Sequence, residues 1–232
     1  MSEFPEFAAV IPVFQPEPGL LPLVRAIAPR FGSVVAVDDG STEGASAFDE
    51  LAGGYGVGNV VLLRHDRNRG KGAALKTALR HLRAKADFML TLDGDGQHRL
   101  EDALAVARKA RETKGVVFGV RDFSRKAVPF RSWWGNRWTS LEVRLLFGYR
   151  LADTQTGLRA VPSRLFEPLL ALPGERFEFE AQCLPLFHRL RERIVTVPIA
   201  TIYRDSNRAS HFRPFRDTLL TQRALFRRGN MV

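Results

Sequence analysis

Cysteine is nearly absent from this chain: Cys183 is the only one in 232 residues. A lone thiol closes no internal disulfide, so stability must come from a packed core, and a reducing compartment is the expectation. Long apolar runs are missing too. No stretch approaches the ~18–20 uninterrupted apolar residues that span a bilayer. The opening MSEFPEF has neither the positive region nor the apolar run of a signal peptide. The sequence therefore predicts a cytoplasmic protein that would meet a membrane only from its surface. Repeats, low-complexity tracts and linkers are also lacking. With 45% hydrophobic residues, a chain of this length has the makings of one globular unit with a sizeable core.

What is abundant is arginine, and its placement matters more than the net charge of +10. Residues 1–120 carry 15 positive and 15 negative side chains, and residues 151–200 carry 6 of each. The excess sits in two windows, 121–150 and 201–232, each with 7 basic and 2 acidic residues. Of the 35 basic residues 29 are Arg, whose planar fork matches phosphate oxygens. A phosphorylated or anionic partner near these windows is one reading, and a solubilising surface is the plain alternative. No RNA- or DNA-binding module accompanies the charge, so a nucleic-acid partner is not expected.

Apolar runs of strand length alternate with segments of helical period. Strands are predicted over 7–14, 33–37, 59–63, 87–92 and 115–120, with helices over 20–30, 43–51, 72–85 and 100–111 between them. The second half is less regular, with helices over 133–147 and 177–190, a short strand over 157–161, and a strand over 194–202 that Pro198 confines to a sheet edge or bend. A last Arg-rich amphipathic helix is predicted over 214–229. The β-α-β rhythm implies an α/β fold, a mostly parallel sheet with helices on both faces. Right-handed crossovers then gather the strands' carboxyl ends on one edge, where such sheets bind ligands.

Chemistry-bearing residues stand after those strands. Asp38-Asp39-Gly40-Ser41-Thr42 follows the second, and Asp93-Gly94-Asp95-Gly96-Gln97-His98 follows the fourth. Carboxylates at alternate positions of a tight loop suit a hard divalent cation that also takes phosphates and water; a pair of turn-forming Asx residues is the alternative. Asn68-Arg69-Gly70-Lys71-Gly72 opens a helix and reads equally as an anion site or as a plain helix start, because P-loop spacing is missing. Asp153 is a candidate base for a hydroxyl acceptor, or else a residue that orients Arg159 or its own turn. Glu178 and Glu180 are expected to support the metal-facing loop or arginines. Cys183 reads as core, and His65, His81 and His188 receive no role.

In order, VIPVF, VDDGST, NRGKGAA, DGDGQH, DTQTGLRAV, FEFE, VPIATIYR and RASHF resemble the family 2 glycosyltransferases, and within them the polyprenyl-phosphate mannosyl- and glucosyltransferases. The resemblance runs over about 7–217. It implies the GT-A fold, with a nucleotide-sugar half over about 1–120 and an acceptor half over about 121–232. It implies further that Pro12, Phe14, Glu17, Val37, Asp39, Lys71, Asp93 and Gly94 bind the nucleotide sugar. Asp93, Asp95 and Gln97 would face Mg²⁺ or Mn²⁺, and Arg121, Arg131 and Arg137 would take an acceptor phosphate. Catalytic roles would fall to Asp95, Asp153, Arg204 and His211. The first motif departs from the family's Pro-x-Tyr-Asn-Glu: here Pro12-Val13-Phe14-Gln15-Pro16-Glu17 moves the carboxylate and drops the Tyr hydroxyl.

The implied reaction moves a hexosyl group, mannose or glucose by preference, from a GDP- or UDP-sugar to a polyprenyl phosphate with inversion. The protein would attach peripherally to an anionic cytoplasmic membrane face through the basic windows and Trp133, Trp134 and Trp138. A glycosyltransferase acting on a sugar hydroxyl is one alternative. A sugar-nucleotide nucleotidyltransferase is another, but it should carry a Gly-rich basic loop after the first strand, where Phe14-Gln15-Pro16-Glu17-Pro18 stands.

Overall fold

The computed structural model describes residues 2–53, 58–121 and 130–200, without the side chains of 45 and 130–135. In chain order the elements are β1 (Phe4–Val13), α1 (Leu20–Ile27), β2 (Phe31–Asp38), α2 (Ala45–Ala52), β3 (Val60–Arg64), α3 (Lys71–Leu82), β4 (Phe88–Thr91), α4 (Leu100–Thr113), β5 (Val116–Arg121), α5 (Phe130–Phe147), β6 (Arg159–Pro162), α6 (Phe166–Leu170), α7 (Glu178–Arg189) and β7 (Ile194–Ile199). The seven strands form one sheet in the order β3-β2-β1-β4-β6-β5-β7. All neighbours are parallel except β6, which is antiparallel to both β4 and β5.

Period-two alternation along the strands divides the core into two layers. Ala8, Val10, Val35 and Val37 face one layer with α3, α5, α6 and α7. Phe7, Ala9, Ile11, Val34 and Ala36 face the other with α1, α2 and α4. At the amino ends of the strands Phe7 stacks on Phe88 with centroids 4.6 Å apart, and Phe4 stacks on Phe31 at 5.6 Å. Each such pair adds about 0.5–1.5 kcal/mol beyond its area burial. That end of the sheet is a closed aromatic plug, and the polar loops gather at the other end.

The expected α/β sheet is present, and its one reversal has a consequence for the site. The strand expected over 157–161 begins at Arg159, because the Gly157 carbonyl accepts the Thr91 hydroxyl at 2.7 Å and stays in the loop. Since β6 runs backwards, the DTQTG segment that precedes it shares an edge with the loops that follow β1, β2, β4 and β5. Pro198 sits in the outermost strand, where its missing N–H costs no ladder bond. The short α6 was not expected from the sequence, and β1 begins three residues earlier than expected. Residues 214–229, expected as a helix, lie outside the described residues.

Candidate active site

Three loops meet where β1, β2 and β3 end. Gln15, with φ of 55°, donates its backbone N–H to Ser41 Oγ and its Nε2 to Thr42 Oγ1, both at 2.9 Å. Its Oε1 accepts the Glu43 N–H at 2.9 Å. The residue that replaces the family's Asn thus bolts the β1 loop to the VDDGST loop. A Cβ on Gly40 would lie 2.2 Å from the Arg67 carbonyl carbon, so the NRGKG loop crosses directly over this glycine. Pro12 pairs with Val37 in the β1–β2 register, and a Cβ on Gly94 would stand 3.4 Å from the Pro12 carbonyl oxygen. Pro12, Val37 and Gly94 therefore form one shelf, with half-buried Phe14 and Glu17 in the adjoining loop.

Asp39 lies beneath these loops with its side chain 4% exposed. Its Oδ1 accepts the Arg69 N–H at 2.9 Å and meets His65 Nδ1 at 2.7 Å, and its Oδ2 accepts the Gly70 N–H at 2.7 Å. His65 Nε2 lies 2.9 Å from Thr77 Oγ1 on α3. The ring thus bridges the Asp39 carboxylate and the Thr77 hydroxyl. Asp39 is thereby turned inward, fastening β2 to the NRGKG loop. His65, which the sequence left without a role, fixes the carboxylate's orientation.

The second cluster centres on Asp93. Lys71 Nζ reaches Asp93 Oδ1 at 2.7 Å and Glu180 Oε2 at 2.8 Å, and His98 Nε2 lies 3.3 Å from Asp93 Oδ2. Gly157 presses on the same carboxylate so closely that a Cβ there would stand 2.0 Å from Oδ2. Burial works against the ionised form of Asp93, but the Lys71 ammonium and His98 outweigh it and hold the carboxyl well below its usual range. Burial alone would also favour a neutral Lys71 amine, yet Asp93 and Glu180 keep it firmly charged. Glu180, expected to support a loop or arginines, acts on Lys71. The ammonium itself points into the site rather than away from it, beyond a plain helix start.

Asp95 behaves differently. Its Oδ1 accepts the Gln97 N–H at 2.9 Å, closing a tight turn across Gly96. Burial, and then the charge of Asp93, push its carboxyl above the ordinary value. Among the described residues no three His, Cys, Asp or Glu side chains converge to hold a metal ion. Two hard carboxylates, one of them poorly neutralised, fit a divalent cation that takes most of its ligands from water and phosphate. The donor set present is therefore compatible with Mg²⁺ or Mn²⁺, with Asp95 the less compensated of the two.

Beside the end of β5 Asp153 is fully buried. It accepts Arg121 Nε at 2.7 Å, Arg121 Nη2 at 3.4 Å and the Gln155 N–H at 3.0 Å. Asn136 of α5 donates to the Ala152 carbonyl and accepts the Thr154 N–H, which fixes this loop to the helix. The partner of Asp153 is thus Arg121. Arg159 instead bonds the carbonyls of Thr154, Thr156 and Glu180. Asp153 thus ties Arg121 to the turn that it closes through the Gln155 N–H. Arg137 is exposed on α5. The Arg131 side chain, Arg204 and His211 lie outside the described parts of the chain, as do Trp133 and Trp134 as side chains.

These contacts set two expectations for stability. Gly157→Ala must displace Asp93 or the loop and should cost about 1–3 kcal/mol, read from denaturant midpoints, with far-UV circular dichroism retained. Asp39→Ala strands the Arg69 and Gly70 amides and the His65 ring, and each buried group left unpaired costs about 1–3 kcal/mol. The same unfolding measurement checks it, and a change below about 0.5 kcal/mol would contradict the inward geometry.

Known proteins are similar to this chain in sequence and in fold. The profile of Glycosyl transferase family 2 matches residues 8–167. An uncharacterized protein of Methanocaldococcus jannaschii is 29% identical over 205 residues, 85% of this chain and 82% of that one. The UDP-N-acetylglucosamine–dolichyl-phosphate N-acetylglucosaminyltransferase of Methanococcus voltae is 32% identical, over 65% of this chain and 62% of that one. An undecaprenyl-phosphate 4-deoxy-4-formamido-L-arabinose transferase of Pseudomonas paraeruginosa is 29% identical, and the match spans about half (49%) of its length. Among solved structures, glucosyl-3-phosphoglycerate synthase of Mycobacterium tuberculosis superposes with a TM-score of 0.66 at 18% identity, over 94% of this chain and 77% of that one. A Pyrobaculum calidifontis mannosyltransferase solved with GDP-Man and Mn²⁺ does so with a TM-score of 0.58 at 22% identity, over 90% and 60%. These superpositions identify the fold as GT-A. The family match runs from β1 into α6 and takes in every loop from the Gln15 bolt to the Gly157 contact, so the chain belongs to glycosyl transferase family 2.

Proposed function

We propose that this protein transfers a hexosyl group from a nucleoside-diphosphate sugar to a polyprenyl-phosphate-type lipid, with a divalent cation at the Asp93–Asp95 loop. The observation that carries the choice of acceptor is the engagement of Asp153 with Arg121. A sugar hydroxyl needs a general base to become a nucleophile, whereas a phosphate monoester is already an anion near neutral pH. The described acceptor side presents a guanidinium backed by a buried carboxylate, which suits an anionic acceptor better than a hydroxyl. The dolichyl- and undecaprenyl-phosphate relatives support the same class of acceptor.

In this reading the shelf of Pro12, Val37 and Gly94, with Phe14 and Glu17 beside it, receives the nucleoside. Asp39 shapes that pocket by holding the Arg69–Gly70 backbone. Lys71 and the Asp93–Asp95 loop face the diphosphate. The cation, when bound, neutralises the leaving phosphates. A lipid-phosphate oxygen forms the new bond to sugar C1 as the C1–O bond to the diphosphate breaks, and the nucleoside diphosphate departs with that electron pair. Attack opposite the leaving group inverts C1. Arg121, with Arg131 and Arg137, orients the incoming phosphate. Arg204 and His211 supply donors to the charge developing on the leaving group.

A lipid acceptor puts the reaction at a membrane surface; among the described residues no helix is long and apolar enough to cross a membrane. The test is a panel of GDP-mannose, UDP-glucose and UDP-N-acetylglucosamine with a polyprenyl phosphate and Mn²⁺, scored for lipid-linked sugar. At least one donor should give product, and Asp95→Asn should lower turnover about 100-fold or more while the protein stays folded. Undiminished activity in excess chelator would remove the metal from the reading. Transfer to a sugar hydroxyl, with none to the lipid phosphate, would replace the acceptor.

A further inference from the structure

The helix α5 has apolar residues on the side where a surface helix is normally polar. Its inner face buries Asn136, Thr139, Val143 and Phe147, spaced three and four apart. On the opposite arc Trp138 is 56% exposed, Leu141 48% and Leu145 75%, again spaced three and four apart. Exposed Arg137 and Arg144 border this arc on one side. On the other, Glu142 accepts the Trp138 indole N–H at 2.7 Å. A helix apolar on its outward arc needs a covering.

We infer that this outward face of α5 seats the protein on an anionic bilayer and sets the depth at which Arg121 meets the lipid's phosphate. The inference rests on the lipid-phosphate reading above. Charge chooses the occupant. The window 121–150 holds 7 basic and 2 acidic residues, and an isologous contact between two copies would crowd both arginine borders into one interface. Anionic headgroups complement those borders, while Leu141 and Leu145 enter the acyl boundary and Trp138 lies at headgroup level. The inner face carries the second half of the argument. Asn136 clamps Ala152 and Thr154, and Asp153 between them holds Arg121. The surface that touches lipid and the arginine that would take the lipid's phosphate are thus joined through one helix, with few intervening bonds to flex.

Vesicle flotation tests this with phosphatidylcholine alone and with phosphatidylcholine containing phosphatidylglycerol. The full chain and its Leu141→Gln/Leu145→Gln variant are compared at low and high salt. Both leucines are exposed, so the variant should fold; its melting temperature is measured alongside. Wild type should bind the anionic vesicles, and salt should weaken the binding. The variant should partition about tenfold less or worse. Both proteins should glycosylate a short, water-soluble prenyl phosphate in detergent at equal rates. Equal partitioning of the two proteins, or no binding by wild type, would overturn the surface. So would a wild-type dimer in sedimentation velocity that the variant loses, since it assigns the face to a second copy. Failure of both proteins on the soluble prenyl phosphate, with vesicle binding intact, would overturn the acceptor reading itself.

Discussion

The Asp93 carboxylate, gripped between Lys71 and Gly157, is the constraint on which the rest of the site depends. It stands just past the end of a central strand, where the regular ladder has stopped and, among the described residues, its partners are side chains. Lys71 comes from the start of α3 and is itself anchored by Glu180 of α7. Gly157 comes from the loop before the reversed β6. One carboxylate thus fixes the relative positions of four segments that are remote in sequence. A glycine is required at 157 because any side chain would occupy the space of the carboxylate. The positive charge is required because a partly buried carboxylate without a cation would protonate or pull away. Lys71 leaves the neighbouring Asp95 comparatively uncompensated, and it is there that a divalent cation would find the most unbalanced negative charge.

Asp39 has the corresponding role at the end of β2, with backbone amides in place of an ammonium. Its three partners come from the NRGKG loop and His65, and His65 is in turn held by Thr77 on α3. Both keystones therefore converge on the first turns of α3. The end of the sheet around β1, β2 and β4 is assembled by buried charge and amide bonds. The neighbouring end of β5 is assembled through α5, whose Asn136 reaches the loop that holds Arg121. The two ends differ accordingly: carboxylates and an ammonium at one, an arginine with a buried counter-ion at the other.

The sheet and most of its helices were legible in the sequence because their apolar runs have distinct periods and are punctuated by glycine and aspartate. The loops were legible as chemistry because DDGST and DGDGQH stand directly after strands. The reversal of β6 was not legible, since a four-residue buried strand carries no sign of direction. Its consequence, the DTQTG loop meeting the DGDGQH loop, came from the structure alone. Lone residues were the least legible. His65, Glu180 and Asp153 owe their partners to the fold, which brings Asp39 to the first, Lys71 to the second and Arg121 to the third. The basic window over 121–150 was visible from composition, but the outward apolar arc of α5 needed the burial of its inner face to be recognised.

The central claim is that Lys71, Asp93 and Asp95 form a preassembled site for a nucleoside diphosphate together with a divalent cation. Titration calorimetry of UDP and GDP, with and without Mn²⁺, tests it most directly in wild type and Lys71→Met. At least one nucleotide should bind wild type about tenfold or more tightly with the cation present, and the Lys71→Met protein, still folded, should lose most of that affinity. Binding of either nucleotide that ignores both Mn²⁺ and the loss of Lys71 would contradict the account.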